Sequence, residues 1–437
     1  MQTGSRAPFV LGNSSIPPGS RAVVDIPFGK LYTHTELNIG AHVIHGRKEG
    51  PVLLVAAALH GDEINGMEII RRVIRKKWNK PISGTIICLP VFNIFGYLNL
   101  KRELPDGRDL NRSFPGSKNG SLASQFAYQF MNQIAPNVDI VIDFHTGSAQ
   151  RSNIAQVRCL VSDPVSMELA QVFSPPFIVH SGYISKSVRE ALNKMGKKIL
   201  LFEGGKTNSI DETIVEEGLL GIQRILNHFH MKNFKLDPVE QDPIIIKSSK
   251  WLRAPLSGVF HAVAKNGQYV EKGEVIGLVS DPYGSSERKV KSNAEGYVIC
   301  TNEAPLVNKG DAIFHIGSAV NPAIHLGFLR LGPPPSWRWH DKPTANTQVF
   351  AVLLWGKLTS KQAPPPGRSA HRTRPPWRSA IDLTSDSPKP KPSPRVWVPR
   401  TKGWKMLSCC SSGIPEPLSS TRNPAGSSTR RTKPCSV

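Results

Sequence analysis

The chain has 437 residues, and its 55 Lys+Arg against 33 Asp+Glu give a formal net charge of +22. This length allows two or three domains of ordinary size. No run of about 18 apolar residues occurs, which excludes a membrane-spanning helix. The first 20 residues lack the basic segment and apolar stretch of a secretory signal. We therefore expect a cytoplasmic protein with no membrane partner.

The positive charge is concentrated at the end of the chain. Residues 318–437 hold 19 Lys+Arg but 4 Asp+Glu, together with 19 of the 37 prolines and 6 of the 8 tryptophans. Sequence rich in Pro, Arg and Ser cannot bury a core, so we expect this tail to be disordered. It could be an inert basic tail, an arm that binds RNA or a membrane surface, or translated non-coding sequence. We favour the last over the binding arm and do not expect a nucleic-acid partner.

The cysteines show no pattern of a disulfide framework or a metal site. The six residues are scattered, without a C-x-x-C pair, at positions 88, 159, 300, 409, 410 and 435. This spacing indicates a reducing compartment and argues against cysteine as a metal ligand.

Strands and helices alternate between residues 50 and 230. The apolar run 51–59 predicts a strand buried on both faces, and a helical pattern follows the polar elbow after it. Further strands are predicted at 84–93, 138–147 and 197–205, with amphipathic helices between and after them. This order predicts an α/β fold with a mixed, largely parallel sheet flanked by helices. Such sheets place ligands at the carboxyl ends of their strands.

The pattern changes from Trp251 to short strands separated by Gly and Asn-Gly turns. Two similar halves of this kind predict a small β-barrel or sandwich. We therefore divide the chain into four parts. These are a flexible N-terminus, an α/β domain, a small β domain and the tail, over residues 1–20, 21–240, 241–317 and 318–437.

Three residues at predicted strand ends suggest a metal site. His60 and Glu63 lie three positions apart in one elbow, and His145 follows a neighbouring strand. A catalytic zinc takes three imidazole or carboxylate ligands and keeps one position open for water. H-x-x-E occurs often by chance, and a histidine at a strand end is usually a hydrogen-bonding residue. The combination favours one zinc ion per chain.

A loop rich in arginine lies between these ligand positions. Arg102, Arg108 and Arg112 alternate with turn residues over 102–116. Guanidinium groups bind carboxylates bidentately and stabilise an oxyanion without titrating. A solvated loop with surface ion pairs is the alternative, but proximity to a metal site favours a clamp for an anionic substrate.

Two carboxylates complete the predicted site. Glu203 follows an apolar strand, where an unpaired carboxylate is costly to bury unless it has a function. Beside metal-bound water it could take the water proton and pass it to a leaving nitrogen. Asp143 lies two residues before His145, on the same strand face, and could orient that ligand. A turn or capping role is an equally good interpretation for Asp143.

Four ordered motifs carry a resemblance to a known family. They are HGDE (60–63), DGRDLNRSFPG (106–116), DFHTG (143–147) and FEGG (202–205). In this order they resemble the succinylglutamate desuccinylase/aspartoacylase family of zinc-dependent hydrolases, which are relatives of the metallocarboxypeptidases. The resemblance covers roughly residues 20–317, including the small β domain. It implies a zinc carboxypeptidase-like fold and hydrolysis of the amide bond of an N-acylated amino acid or a similar small carboxylate.

The resemblance also implies a role for each matching residue. His60, Glu63 and His145 would hold zinc, and Glu203 would be the general acid/base. Asn111 and Arg112 would bind the substrate carboxylate. Arg102 would polarise the scissile carbonyl and stabilise the oxyanion, with Arg108 as a nearby alternative in a loop of variable spacing.

Other functions remain open from the residues alone. A zinc carboxypeptidase or an ester hydrolase would use the same site. The β domain also resembles biotinyl and lipoyl carrier barrels, but the connection at 280–289 lacks the short context of a modified lysine. We therefore interpret it as a structural cover. A non-catalytic protein that binds through the barrel or the basic tail is the remaining class.

Overall fold

A computed structural model of the chain describes residues 6–30, 33–239 and 241–319, and two short strands at 396–400 and 403–407. The first ten strands are β1 (Phe9–Leu11), β2 (Ser14–Ile16), β3 (Arg21–Lys30), β4 (Glu36–His45), β5 (Lys48–Ala57), β6 (Ser83–Leu89), β7 (Ile140–Gly147), β8 (Arg151–Cys159), β9 (Phe177–His180) and β10 (Lys198–Lys206). The helices are α1 (Asn65–Arg75), α2 (Ile94–Asn99), α3 (Leu122–Gln133), α4 (Pro164–Phe173), α5 (Val188–Lys194) and α6 (Glu212–His228). Short 3₁₀ turns occur at Leu110–Arg112 and Ala135–Asn137.

The remaining strands follow α6. They are β11 (Ile244–Arg253), β12 (Gly258–Ala262), β13 (Tyr269–Val270), β14 (Val275–Ser280), β15 (Glu287–Lys291), β16 (Gly296–Asn302), β17 (Leu306–Val307) and β18 (Ala312–Ala319). In the tail, β19 (Val396–Arg400) and β20 (Gly403–Leu407) form an antiparallel pair. The composition of the tail did not predict this pair. Residues 318 and 319 of the expected disordered segment end β18, and the rest of it lies outside the described residues.

One mixed sheet organises the region that contains the predicted ligands. Its strand order is β13-β16-β18-β11-β9-β8-β10-β7-β5-β6-β4-β3. The pairs β5–β6, β5–β7 and β7–β10 are parallel, whereas β8 lies antiparallel to β10. The prediction of a mixed α/β fold is therefore confirmed. The carboxyl ends of β5, β7 and β10 meet at one edge of the sheet.

Apolar side chains cover both faces of this sheet. On one face α1, α4 and α6 pack against the strands, and Ile69, Phe173 and Ile222 are fully buried there. On the other face α3 and α5 contribute Phe130 and Leu192. These two layers exclude water from the strands and hold their ends in a fixed register.

The strands after residue 243 do not form a separate sheet throughout. Four of them make a small sheet of order β15-β14-β12-β17, but β11, β13, β16 and β18 continue the large sheet. β11 pairs with β9, and β16 pairs with β8. The expectation of a small β-barrel or sandwich did not include these pairings with the large sheet, because strand partners distant in sequence depend on packing.

The beginning of the chain also differs from expectation. Residues 9–16, expected to be flexible, form the β1–β2 pair with Leu11 and Ile16 buried. Arg6 donates hydrogen bonds to the carbonyl oxygens of Gly46 and Gly84. In the described part of the chain no helix is long and apolar enough to cross a membrane.

Candidate active site

The elbow after β5 brings two predicted ligands into the interior. The Phe92 and Asn93 amides donate to the carbonyl oxygens of Ala57 and Ala58, which ties the end of β5 to the next loop. At Gly61 a Cβ atom would lie 1.8 Å from the Gly96 carbonyl carbon, so no other residue fits without movement of the backbone. His60 and Glu63, on either side of this contact, are both buried.

His60, Glu63 and His145 form one cluster. Their donor atoms all lie within 4.8 Å of one another, in a group that could hold a metal ion. His60 Nδ1 is 2.8 Å from Glu63 Oε1, and His145 Nδ1 is 2.9 Å from Glu63 Oε2. Two imidazoles and a carboxylate are a donor set that suits zinc. The structure therefore brings together the three predicted ligands.

A second carboxylate contacts the Nε2 atom of each imidazole. His145 Nε2 lies 2.9 Å from Asp143 Oδ2, and His60 Nε2 lies 3.2 Å from Asp109 Oδ1. Such partners orient metal-binding histidines and raise their basicity. The orienting position predicted for Asp143 agrees with this contact. The sequence analysis gave Asp109 no role, although it stands in the DGRDLNR segment beside the arginines.

These contacts change the ionisation of the cluster. Burial by itself would raise the pKa of Glu63, but the two histidines hold it well below its usual value. Burial would lower the pKa of His145, yet Asp143 and Glu63 raise it well above the ordinary value. The pKa of His60 is also raised, because Glu63 and Asp109 outweigh burial. Glu63 is therefore an ionised carboxylate, and metal binding at the two histidines would displace protons.

Arg102 lies beside this cluster and Arg108 does not. The Arg102 guanidinium places Nη1 3.2 Å from Glu63 Oε1 and Nη2 2.9 Å from Asp109 Oδ2. Arg108 has a side chain that is 60% exposed and lies 3.5 Å from Asp106. Of the two arginines considered for the carbonyl-polarising role, only Arg102 is adjacent to the predicted metal ligands.

Asn111 and Arg112 lie on the 3₁₀ turn that follows Asp109. Asn111 Oδ1 accepts a hydrogen bond from the Val188 amide at 2.9 Å, which joins this turn to the start of α5. Arg112 donates to the Asn111 carbonyl oxygen and, with Arg108 and Lys186, lines an open pocket of about 360 Å³. Three cations around one pocket favour an anionic group there.

Glu203 lies on the strand next to His145. The parallel β7–β10 register pairs the two residues directly, so their side chains share a face of the sheet. Asn153 Nδ2 donates to Glu203 Oε2 at 2.8 Å, and Arg158 Nε lies 3.0 Å from the same oxygen. The sequence analysis missed both partners on β8. Arg158 belongs to an alternation of polar residues 156 and 158 with core residues of the other face, whereas Asn153 falls outside that alternation because the register shifts beyond Gln156.

The region that contains this arrangement matches a known protein family. Residues 49–229 match the model of the succinylglutamate desuccinylase/aspartoacylase catalytic domain. This span contains all four motifs and every residue of the cluster. Residues 49–229 are therefore similar to the catalytic domain of the succinylglutamate desuccinylase/aspartoacylase family.

Individual relatives match a longer part of the chain than the family model does. The N-alpha-acetyl-L-2,4-diaminobutyric acid deacetylase of Halomonas elongata is 27% identical over 289 residues, which are 63% of this chain and 84% of the relative. A succinylglutamate desuccinylase/aspartoacylase structure from Rhodobacter sphaeroides is 22% identical with a TM-score of 0.62, over 69% of this chain and 96% of the other. The product-bound ectoine utilization protein EutE (DoeB) from Ruegeria pomeroyi is 20% identical with a TM-score of 0.63, over 71% and 99%. At these identities the two structures support the fold.

Proposed function

We propose that this protein is a zinc-dependent hydrolase that cleaves the amide bond of an N-acylated amino acid. The observation that carries the proposal is the buried His60–Glu63–His145 cluster, whose donor atoms lie within 4.8 Å of one another. The match of residues 49–229 to the catalytic domain of this family supports the reaction class. The Halomonas relative, a deacetylase of an N-acetylated amino acid, supports the substrate class.

The cluster has the donors that a zinc ion requires. His60 and His145 would bind through Nδ1 and Glu63 through its carboxylate, while Asp109 and Asp143 keep the rings oriented. When bound, the zinc ion would lower the pKa of a water molecule and polarise the scissile carbonyl. One zinc ion per chain is expected.

Two further residues would handle charge and protons. Arg102 directs guanidinium N–H groups toward the cluster, where they would stabilise the negative oxygen of a tetrahedral intermediate. Glu203, one strand from His145, would accept a proton from the attacking water and deliver it to the leaving nitrogen. Asn153 and Arg158 both contact Oε2 of Glu203. Oε1, the other oxygen of this carboxylate, has no hydrogen-bonding partner in the described part of the chain.

Arg112 would bind a carboxylate of the substrate. It lines the pocket that also contains Arg108 and Lys186, and no acidic residue is among those lining it. A guanidinium group suits this role because it binds both carboxylate oxygens at once. Asn111 would act by fixing the turn against α5 as well as by offering its amide group.

The test measures metal and hydrolysis together. Wild-type protein should contain about one zinc per chain by plasma emission and should hydrolyse members of a panel of N-acetyl amino acids. His145→Ala should lose both. His261→Ala, at an exposed position on β12, is the matched control and should keep both.

Other outcomes would change the reaction assigned to the protein. Turnover of the corresponding esters or of peptides with a free C-terminus, without turnover of N-acetyl amino acids, would identify an esterase or a carboxypeptidase. A folded wild-type protein without zinc and without activity on any of these compounds would refute the proposal.

A further inference from the structure

The side chain of Asn65 joins the elbow of the candidate metal ligands to the loop that follows β10. Its Nδ2 donates to the Gly204 carbonyl oxygen at 3.2 Å, and its Oδ1 accepts a hydrogen bond from the Asp211 amide at 2.9 Å. Asn65 follows Glu63 by two residues, and Gly204 directly follows Glu203. The Asn65 carboxamide therefore connects the segment of the metal ligands to the segment of the candidate general acid/base.

These two bonds use a carboxamide that is fully buried. Asn65 is 1% exposed, and both of its partners are backbone atoms. The residue begins α1, but this helix starts without a side-chain cap, and the bonds of Asn65 run to other segments. An aspartate of the same size lacks the donor, and a leucine lacks both groups. The two contacts are thus specific to an amide of this length.

A backbone contact joins the same two segments. The Asn208 amide donates to the Asp62 carbonyl oxygen at 2.8 Å. This bond involves no side chain, so it remains when Asn65 is replaced. We therefore expect the elbow and the loop to stay adjacent in an Asn65 variant, while Gly204 loses its contact with the elbow.

The backbone is irregular directly after Glu203. The pairing of β10 with β7 shifts between Glu203 and Lys206, and its pairing with β8 shifts between Glu203 and Gly205. Gly205 has a φ of +70°, and a Cβ atom there would lie 2.4 Å from Asn65 Nδ2. Irregularities of this kind beside an active site change the direction of neighbouring side chains. Regular strand pairing ends at Glu203, and Asn65 supplies a contact at the next residue.

We infer that Asn65 is a positioning residue, which sets the place of the Glu203 carboxylate relative to the metal ligands. It acts through the Gly204 carbonyl and does not touch the substrate. This inference rests on the proposed function, in which Glu203 carries a proton from the attacking water to the leaving nitrogen. A displacement of about 1 Å in such a group can lower the rate by about 100-fold.

Substitution of Asn65 tests the inference through kcat. Asn65→Ala removes both bonds, and Asn65→Ser leaves a side chain too short to reach both partners. Each variant should lower kcat by about 10- to 100-fold, with KM within about threefold of wild type. Zinc content should stay at about one per chain, because the metal ligands themselves are unchanged. A raised KM with an unchanged kcat, or loss of zinc, would contradict the inference.

Asn227 provides a matched control at the other end of α6. Its Nδ2 donates to the Phe234 carbonyl oxygen at 2.9 Å, and its Oδ1 accepts from the Phe234 amide at 2.7 Å. Asn227→Ala therefore removes the same pair of bonds as Asn65→Ala. It should lower the melting temperature as well, but leave kcat within about twofold of wild type. Equal losses of kcat in the two variants would indicate a general effect of stability.

The Glu203→Gln background shows whether Asn65 acts through Glu203. If it does, the addition of Asn65→Ala to Glu203→Gln should lower the residual kcat by less than about threefold, because the displaced carboxylate is already absent. A full 10- to 100-fold loss in this background would overturn the inference and assign the effect of Asn65 to another part of the site.

Failure of the proposed function gives a different result. If wild-type protein hydrolyses none of the compounds, crystal structures of wild type and Asn65→Ala still test the positioning. The Glu203 carboxylate should then lie about 0.5 Å or more further from its wild-type place relative to His145. An unmoved carboxylate would refute the inference independently of any activity.

Discussion

The two sides of the candidate active site differ in how completely their polar groups are paired. In the cluster of His60, Glu63 and His145 both ring nitrogens of each histidine have a partner, and both oxygens of Glu63 are within 3 Å of a histidine nitrogen. On β8, by contrast, neither polar atom of the Gln156 carboxamide has a hydrogen-bonding partner among the described residues. Gln156 is as deeply buried as the cluster, so exposure to water does not explain the difference.

A site that binds a metal tightly needs its ligands oriented before the ion arrives, and fully paired histidines provide that order. A variant of the cluster should affect metal binding and catalysis, whereas one at Gln156 should affect stability.

Glu203 stands between the two sides, and its removal should have the largest effect. Glu203→Gln keeps the size and one oxygen of the side chain but cannot accept a proton. We expect kcat to fall by about 10²- to 10⁴-fold, the usual contribution of a general acid/base. Steady-state kinetics with zinc analysis would check this, since zinc content and KM should stay near wild type. Loss of zinc in this variant would instead assign Glu203 to the metal-binding side.

Substitution of the carboxylates that contact the two histidines should have the next largest effect. Asp143→Asn and Asp109→Asn each replace the carboxylate that orients a predicted ligand. Metal affinity should fall by about 10- to 100-fold in each variant. Competition with a chromophoric chelator measures this directly. Affinity equal to wild type in both variants would contradict the idea that paired histidines pre-form the site.

The β8 side can be tested through the acid sensitivity of His315. Its pKa is lowered to about 4 by burial and by Arg158. Below about pH 6.5 the imidazole therefore binds a proton in the unfolded chain but stays neutral in the folded chain. The contribution of His315 to the free energy of unfolding is complete above pH 6.5 and is lost as the pH falls toward 4. At pH 5 the loss is about 2 kcal/mol.

His315→Phe removes this titration and preserves an aromatic ring against Trp251, whose indole stacks on His315 at 4.2 Å. The drop in melting temperature between pH 7.5 and pH 5 should therefore be smaller in the variant than in wild type. Differential scanning calorimetry at several pH values would show it. Parallel curves for the two proteins would mean that His315 titrates normally.

The smallest effect is expected for a buried carboxylate whose arginine partner Arg71 is half exposed. Glu68 on α1 accepts hydrogen bonds from Arg71 and Arg72, and Arg71 contributes most to lowering its pKa to about 2. Its stabilisation is complete above pH 4.5 and is lost as the pH falls toward 2. Because Arg71 is half exposed, Glu68→Gln should cost only about 1 kcal/mol at pH 7. Urea titrations at pH 7 and pH 2.5 should show a difference that shrinks at the lower pH; an equal difference at both would point to lost packing.

Most of the candidate site residues could be predicted from local sequence patterns. His60, Glu63 and His145 could be named as one group because each follows a buried strand of a parallel sheet, and the ends of such strands meet at one edge. Glu203 followed from the same rule. The alternation of apolar strands and amphipathic helices predicted the α/β fold for the same reason, since periodicity is a property of neighbouring residues.

Contacts between distant segments had to come from the tertiary structure. Only the packed loop shows that Arg102, and not Arg108, reaches Glu63, and that Asp109 holds His60. The extension of the large sheet by β11 and β16 and the position of β8 beside Glu203 depend on strand register. Register is decided by which faces bury against each other, and that choice involves residues far apart in the chain. The sequence by itself therefore determined the fold class and grouped His60, Glu63 and His145 as candidate metal ligands, while the tertiary structure decided their partners and the position of β8 beside Glu203.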